Sequence, residues 1–477
     1  MKPSSHSNTD IDPDKQETSL STCHIIPRQK HNISRKNISR ACLNVLYGLN
    51  ENGFDAYIVG GAVRDLLLGK NPKDFDIATD AHPEEVRKIF RNARIIGRRF
   101  RIVHVQFGRS IIEVSTFRAG SQDSMVIKTE KLSRNVTHID AAQSQSGMLL
   151  RDNVYGTIEE DALRRDFTVN ALYYTVRNFE VHDFLNGMKD IESRTLRMIG
   201  DPEQRYREDP VRMLRAVRLS AKLGFSIDSK TAQPIARMVG LLDAIPAARL
   251  FDEIIKAFFN GHAVKTYTGY KKHGLFDHLF PATANLVKKQ ANNEKINIVA
   301  ETCLQQAFAG TDERLSENKS VNPAFLLAAI LWPPVQAQFE HYRQQGLPPM
   351  VAMHEAGQDV IRDQVQIMAI PKRFTIPMRE IWEYQLRLAR KNRAENMVGR
   401  KRFRAAYDFV LLREKAGEDL QGLGQWWTQY QEADSREREN MRQMTNRSKQ
   451  HSKKSKHRVK SSANRNRSIR KTNPVSE

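Results

Sequence analysis

The chain of 477 residues exceeds what a single hydrophobic core usually supports, so about two to four domains are expected. Hydrophobic residues make up 40% and charged residues 27% of the sequence, which excludes a protein that is disordered throughout. Lysines and arginines number 76 against 55 aspartates and glutamates, and the formal net charge of +21 favours a polyanionic partner such as nucleic acid.

The cysteines and the apolar runs exclude further classes of protein. Cys23, Cys42 and Cys303 lie far apart, so they form neither the disulfide framework of a secreted domain nor a closely spaced metal knuckle. We therefore expect a reducing, cytoplasmic environment. The most apolar run, residues 324–332, is too short to cross a bilayer, and the N-terminal stretch lacks the apolar core of a signal peptide. No membrane span is expected.

Along the chain, the first predicted segment is a polar arm, residues 1–33, whose few apolar side chains predict disorder. Apolar residues at helical spacing then predict a helix near residues 39–52. Residues 55–69 predict a short strand, a Gly-Gly turn and a second helix. Further strands are predicted at 73–79, 101–108 and 111–117, with a helix beginning near Pro83 between the first two.

The next segment, residues 120–147, is polar and irregular, and it is longer than an ordinary connection within a domain. This length predicts a mobile loop beside the functional site. Beyond Asp201, apolar residues recur at helical spacing and strand candidates are few. The sequence therefore predicts an α+β unit with a mixed sheet, followed by all-α domains.

Two aspartates stand out in the segment DFDIAT. On a strand, Asp74 and Asp76 would project to one face while Phe75 points into the core. Two carboxylates on one face repel each other unless a cation lies between them, and oxygen ligands of this kind suit Mg²⁺. An exposed pair at a strand end is the commoner origin of such spacing, so the neighbouring motifs decide the interpretation.

Just upstream, Gly60 and Gly61 would let the backbone approach a ligand closely, and the helix that follows would offer free N–H groups to a phosphate. Arg64 would add a positive charge on the first turn. A third acid would complete a site for phosphoryl or nucleotidyl transfer. Glu113 in a predicted strand and Asp166 after an arginine pair are both candidates, and spacing does not choose between them.

A possible base-reading ridge lies further along the chain. Arg212, Arg215 and Arg218 recur every three residues, with Asp209 three positions before the first, so on a helix they form one ridge. A salt-bridged surface helix is the simpler explanation of such spacing. However, the apolar residues beside the ridge would hold it rigidly, and its polar groups could then read the hydrogen-bonding edge of a base.

Four motifs in this order, VGGAVRDLLLG, DFDIAT, RRDFTVNALYY and EDPVRMLRAVR, resemble those of the class II nucleotidyltransferases, which comprise bacterial poly(A) polymerases and CCA-adding enzymes. The stretch GRRFRIVHV at 97–105 resembles the poly(A) polymerase version, and similar segments extend to about residue 417. The resemblance implies a catalytic palm followed by helical domains. The implied domains are a palm at 34–195 that includes the loop 120–147, a nucleotide-selecting neck at 196–265, an RNA-binding body at 266–430 and a disordered basic tail at 431–477.

The resemblance also implies roles for individual residues. Asp74 and Asp76 would bind two Mg²⁺ ions, and Asp166 would be the third catalytic carboxylate, with Glu113 as its competitor. ATP would be the substrate. The residues that would hold the triphosphate or the nucleotide are Gly60, Gly61, Arg64, Arg165, Asp209, Arg212 and Arg215.

The implied activity is template-independent transfer of AMP from ATP to RNA 3′ ends, with release of pyrophosphate. A CCA-adding enzyme would use the same motifs and stop after three nucleotides on tRNA. A non-catalytic RNA-binding protein on the same scaffold is the alternative from another class. Proteins of RNA degradation and RNA chaperones are expected partners.

The C-terminal tail accounts for about half of the net charge. Residues 442–477 carry twelve lysines and arginines against one glutamate, a formal charge of +11. Such a basic run predicts an arm that contacts RNA phosphates without regard to sequence. The expected RNA-contacting residues are Lys453, Lys454, Lys456, Arg458 and Lys460.

Overall fold

The computed structural model describes residues 23–97, 101–119, 127–129, 141–144, 149–152, 154–289 and 294–445. Contacts divide the chain into two units, Met1–Arg212 with Gly224–Pro234 and Met213–Leu223 with Ile235–Glu477. The first unit contains the sheets, and the described residues of the second form helices without a strand. The predicted α+β class with an all-α second half is therefore confirmed.

An eight-stranded mixed sheet is the framework of the first unit. The strands in chain order are β1 (His24–Ile26), β2 (Ala56–Val59), β3 (Asp76–Thr79), β4 (Ala93–Ile96), β5 (Ile102–Phe107), β6 (Ser110–Thr116), β7 (Ile127–Thr129), β8 (Ala141–Ser144), β9 (Leu149–Asp152), β10 (Leu172–Tyr174), β11 (Val181–Asp183), β12 (Thr195–Leu196) and β13 (Ser226–Ile227). Neighbours in the large sheet follow the order β1-β11-β10-β2-β3-β6-β5-β4. The β3–β6 pair is parallel and the other pairs of this sheet are antiparallel.

Helices α1 (Arg40–Glu51), α2 (Gly61–Leu67) and α3 (Pro83–Ile89) contact strands of this sheet. The other helices that lie in the first unit are α4 (Ile158–Leu163), α5 (Gly187–Glu192), α6 (Pro202–Glu208) and α8 (Ser229–Ala232), and α7 (Val211–Leu223) continues into the second unit. Helix α1 forms as predicted: the Ser39 hydroxyl caps it by accepting from the Cys42 amide over 3.2 Å. Its apolar face, which includes Leu46 and Leu49, is fully buried.

Regular structure is present before the predicted boundary at residue 34. Residues 24–26 form β1, which pairs with β11 at the edge of the large sheet. Ile26 is buried, and His31 Nε2 lies 2.8 Å from the Phe179 carbonyl oxygen. A strand of three residues is too short to show alternation in the sequence, so the prediction that residues 1–33 are all disordered was wrong for this part.

The predicted mobile loop 120–147 also contains regular structure. Its described residues belong to β7 and β8, which form a separate three-stranded sheet with β9. The rest of the loop lies outside the described residues, and its mobility stays a prediction. The strands β12 and β13 form a small parallel pair beside α5.

The second unit is built from helices of varied length. They are α9 (Ile235–Met238), α10 (Ala247–Phe258), α11 (Ala263–Lys272), α12 (Leu275–Leu279), α13 (Pro281–Lys289), α14 (Glu294–Ser316), α15 (Pro323–Ile330), α16 (Trp332–Gln344), α17 (Pro349–Ile367), α18 (Lys372–Leu388), α19 (Glu395–Val398), α20 (Phe403–Lys415) and α21 (Leu423–Glu432). Buried aromatic residues bridge them: Trp382 donates to the Ala328 carbonyl over 3.1 Å, and Trp427 donates to the Leu388 carbonyl over 3.2 Å. Residues 435–445 are also helical, and Arg438 donates to the Tyr430 carbonyl over 3.0 Å, so the prediction that residues 431–477 are disordered was wrong for their described part, 431–445.

The cysteines and the apolar character of the helices were the basis of the exclusions drawn from composition. The three cysteines are free thiols, and Cys42 and Cys303 are buried. Among the described helices, none combines the length and the apolar character that a membrane crossing requires.

Candidate active site

Two carboxylates meet where three strands of the large sheet lie side by side. In the β2–β3 pair, Asp76 is opposite Val59, the residue immediately before Gly60. In the parallel β3–β6 pair, Asp76 is opposite Glu113. Adjacent strands lie about 5 Å apart, so the two acids share one face of the sheet at one level.

The aspartate pair is arranged largely as the sequence predicted. Strand β3 begins at Asp76, so Asp74 lies just before the strand rather than within it. The side-chain alternation nevertheless extends back to Asp74: Asp74 and Asp76 are exposed, and Phe75 between them is buried.

The surroundings of Asp76 make ionisation of its carboxyl group unfavourable. Although its side chain is exposed, the surrounding protein reduces its hydration, and this desolvation together with the negative charge of Glu113 raises the pKa of Asp76 to about 6. The charge of Asp74 also raises the pKa of Asp76, whereas the charge of Arg165 lowers it. A set of mutually repelling carboxylate oxygens fits a divalent cation such as Mg²⁺. The described residues contain no group of three or more acidic, histidine or cysteine side chains already arranged as a metal site.

A cavity of about 290 Å³ opens beside these acids. Its volume is at the lower end of the range for small-molecule sites. Acidic groups and arginines both contribute to the wall, so the cavity can accept a ligand that carries a polyanion and binds a cation. The lining residues are Val59, Asp76, Ile102, Glu113, Ser115, Arg118, Asp161, Arg164 and Arg165.

The glycine turn requires glycine at its first position. Gly60 has φ 71° and ψ −139°, a conformation that side chains strongly disfavour, and it directly precedes helix α2. A Cβ atom on Gly61 would lie 3.3 Å from Nη2 of Arg64. The turn is therefore closely packed from behind by the arginine of its own motif.

Arg64, which was predicted to hold the triphosphate, is buried beneath the glycine turn. It is 3% exposed, and its guanidinium donates to Asp65 Oδ1 over 2.9 and 2.6 Å and to Asn170 Oδ1 over 2.5 Å. It is not among the residues that line the cavity. These contacts give it a supporting position beneath the turn, and the predicted phosphate contact stays a prediction.

Arg165, which was predicted to contact the nucleotide, lines the cavity. Its Nε donates to the Tyr173 hydroxyl over 2.7 Å, and its Nη2 donates to Asp161 Oδ2 over 2.8 Å. The Tyr173 hydroxyl donates to the same carboxylate oxygen over 2.7 Å. Burial alone would raise the pKa of Asp161, but Arg165 and the tyrosine hydroxyl lower it overall, so the carboxylate stays ionised.

The two candidates for the third carboxylate are placed differently. Glu113 lines the cavity next to Asp76, whereas Asp166 is not part of the lining. Asp166 Oδ1 accepts from its neighbour's amide, that of Phe167, over 2.8 Å and from Asn170 Nδ2 over 3.0 Å. The geometry therefore favours Glu113, although the motif resemblance selected Asp166.

The predicted Arg–Asp ridge is only partly realised. Asp209 lies between α6 and α7 and accepts from the Val211 amide over 3.3 Å. Arg212 is 8% exposed, and its Nη1 donates to Glu208 Oε2 over 2.8 Å and to the Arg205 carbonyl over 2.9 Å. Arg215 lies on the same helix and is half-buried. Glu208, which precedes Asp209, is thus one carboxylate that binds Arg212.

Sequence reasoning missed several residues at the cavity. Arg118 follows β6, the strand that carries Glu113, and its position one residue past a predicted strand was a usable signal. Asp161 was missed, although it lies four residues before the predicted Arg165, a spacing typical of a helical ion pair. The basic residues predicted to contact RNA, Lys453, Lys454, Lys456, Arg458 and Lys460, lie outside the described residues.

Comparison with protein families covers most of the chain. Residues 56–197 match the poly A polymerase head domain, residues 224–286 match the probable RNA and SrmB-binding site of polymerase A, and residues 345–464 match the polymerase A arginine-rich C-terminus. The first match contains every residue of the cavity described above.

Individual relatives of the chain include poly(A) polymerases and CCA-adding enzymes. Poly(A) polymerase I of Salmonella typhi is 47% identical over 412 residues, which cover 85% of each chain. The CCA-adding enzyme of Lactobacillus helveticus is 36% identical over 225 residues, 47% of this chain and 51% of its own. The Thermotoga maritima CCA-adding enzyme in complex with tRNA has a similar fold, with a TM-score of 0.55, 18% identity and coverage of 85% of each chain.

Proposed function

The chain belongs to the poly(A) polymerase family, and we propose that it transfers AMP from ATP to the 3′ ends of RNA without a template. One structural observation carries the proposal: Asp76 and Glu113 lie side by side on one wall of a cavity that also presents Arg118, Arg164 and Arg165. The acids suit a cation and the arginines suit a triphosphate, and nucleotidyl transfer needs both.

In this proposal the arginines bind and orient the triphosphate of ATP, which fixes its α-phosphate near the acids. The 3′-hydroxyl oxygen of the RNA attacks the α-phosphorus in line and loses its proton to water. The bond between the α-phosphorus and the bridging oxygen breaks, and pyrophosphate leaves. Asp74, Asp76 and Glu113 would hold Mg²⁺, which would lower the pKa of the attacking hydroxyl and balance the charge of the leaving group.

The two alternatives have less support. The CCA-adding enzyme of Lactobacillus helveticus matches 47% of this chain, whereas the poly(A) polymerase of Salmonella typhi matches 85%. A non-catalytic RNA-binding protein has no need of a paired acid whose pKa is raised by its neighbour, because such a pair is costly without a cation. The helical neck and body, RNA as their ligand, the RNA-binding tail, partners in RNA turnover and a cytoplasmic location belong to the same proposal.

The catalytic assignment is tested by comparing Asp76→Asn, Glu113→Gln and Asp166→Asn. We expect the first two to lower kcat for AMP transfer by at least about 100-fold while ATP binding is largely kept, because they remove cation ligands. We expect a smaller loss for Asp166→Asn, because Asp166 does not line the cavity and the amide oxygen of asparagine can still accept from Asn170. Near wild-type turnover in Glu113→Gln and abolished turnover in a stable Asp166→Asn would instead support the motif-based assignment.

A further inference from the structure

The guanidinium of Arg165 has two nitrogens engaged and one available. Nε is bound to the Tyr173 hydroxyl and Nη2 to Asp161, so rotation of the planar group is blocked. No hydrogen bond within the described residues uses Nη1. A Cβ atom on Gly60 would lie 3.6 Å from this nitrogen, so Nη1 lies against the Gly60–Gly61 turn. The free donor is therefore fixed in direction at the place where a phosphate would approach the backbone.

Tyr173, which binds Arg165, lies on strand β10 in the central part of the large sheet. Tyr173 is paired with Val59, so the tyrosine and the start of the glycine turn share one level of the β10–β2 pair. The Tyr173 ring is fully buried and contacts the rings of Tyr57 and Phe184 edge-on, at 6.1 and 5.8 Å. A hydroxyl on such a rigid ring has one position relative to Gly60.

Asp161 completes the arrangement from helix α4. Its carboxylate is 6% exposed and receives hydrogen bonds from both Arg165 and Tyr173. Its other oxygen lies 3.4 Å from the backbone amide of Arg118, a second arginine of the cavity. The guanidinium carbon of Arg165 also lies 4.9 Å from the centre of the Tyr173 ring, which adds a cation–π contact. Two hydrogen bonds and one cation–π contact, supplied by Tyr173 and Asp161, thus define the position of one arginine.

We propose that Asp161 and Tyr173 are positioning residues for ATP, which hold Arg165 so that its Nη1 meets the triphosphate above the Gly60–Gly61 turn. The proposal rests on the proposed function, in which the cavity takes ATP. The competing interpretation is a buried ion pair that only contributes to folding, which is the common role of such pairs. The two interpretations differ in their effect on ATP binding.

The first test uses Tyr173→Phe, which removes the hydroxyl and keeps the ring. We expect the KM for ATP to rise about 10-fold with kcat changed little, because a misplaced phosphate donor weakens binding in the ground state and the transition state alike. Tyr174→Phe is the matched control: it is the next residue on the same strand, equally buried, and its side chain faces the other side of the sheet. Thermal unfolding of both variants shows whether stability changes in parallel.

The second test places the same substitution in an Arg165→Ala background. If Tyr173 acts through Arg165, then Tyr173→Phe adds no further rise in the KM for ATP once the arginine is absent. Asp161→Asn should behave in the same way, and it replaces Tyr173→Phe if that variant does not fold. A rise in KM of equal size with and without Arg165, or a loss of stability with unchanged KM, would overturn the positioning role.

The outcomes also separate this inference from the proposed function. Wild-type protein that adds no AMP to RNA would refute the function itself. Active wild-type protein whose KM for ATP responds to Arg165→Ala but not to Tyr173→Phe or Asp161→Asn would refute only the positioning role.

Discussion

At the scale of single residues, the ionised form of Asp76 is unfavourable in the folded chain without a cation. Desolvation, Glu113 and Asp74 raise its pKa from an ordinary value of 3.8 to about 6. Above pH 6 the side chain is ionised in both folded and unfolded chains, so the folded state carries the full electrostatic cost. Below about pH 4 it is protonated in both states and the cost disappears.

We therefore expect Asp76→Asn to raise the melting temperature of metal-free protein by a few degrees at pH 8, and to lose this advantage as the pH falls from 6 to 4. Differential scanning calorimetry in EDTA at several pH values measures the effect. Asp363→Asn, which changes a 73% exposed aspartate of the second unit, is the control. A gain of equal size at pH 4 and pH 8, or no gain at pH 8, would contradict the electrostatic explanation.

The sequence predicted the residue types of the site better than their partners. Asp76 and Arg165 were assigned to it, and both line the cavity. The choice between Glu113 and Asp166 could not be made, because strand register decides it and register depends on pairing between distant segments. Arg64 was assigned to the phosphate from its place on the first helical turn and from the motif resemblance; sequence did not reveal that Asp65 binds its guanidinium, and the phosphate contact stays a prediction.

At the scale of elements, the turn between β2 and α2 depends on Gly60. Its backbone conformation, φ 71° and ψ −139°, costs a non-glycine residue about 1–3 kcal/mol. We expect Gly60→Ala to lower kcat/KM for ATP by at least about 10-fold, because relief of this strain would move the turn away from Arg165. Steady-state pyrophosphate release measures this decrease.

The control for the glycine turn is Gly69→Ala. Gly69 also has a positive φ, 68°, but it has open space around it at the end of α2. We expect Gly69→Ala to lower the stability of the protein and to leave kcat/KM for ATP unchanged. Equal kinetic losses in the two variants would show that general strain, and not the position of the turn, lowers activity.

Most long elements were predictable because their apolar residues recur at clear helical or strand spacing, as in α1 and β5. Three-residue strands such as β1 and β7 carry too few residues to show a period. They exist because tertiary pairing satisfies their backbone groups, which local sequence does not reveal.

At the scale of the whole molecule, the positive charge is concentrated near the C-terminus, where residues 442–477 carry +11. We expect deletion of this tail to reduce the dependence of RNA affinity on salt, by a slope of roughly 0.7 for each phosphate of single-stranded RNA that the tail would otherwise neutralise. Binding titrations of a labelled RNA at several salt concentrations measure the slope. A tail of scrambled sequence with the same charges should restore it, and an unchanged slope after deletion would show that the tail does not bind phosphates.

The central claim is that this chain makes poly(A) on general RNA ends. The most direct measurement gives the purified protein a labelled, unstructured RNA primer with Mg²⁺ and ATP, CTP, GTP or UTP alone, in parallel with a tRNA that lacks its CCA end. We expect long extension of the primer with ATP alone. Extension confined to the tRNA and dependent on both CTP and ATP would identify a CCA-adding enzyme instead, and no extension of either RNA would contradict a catalytic role.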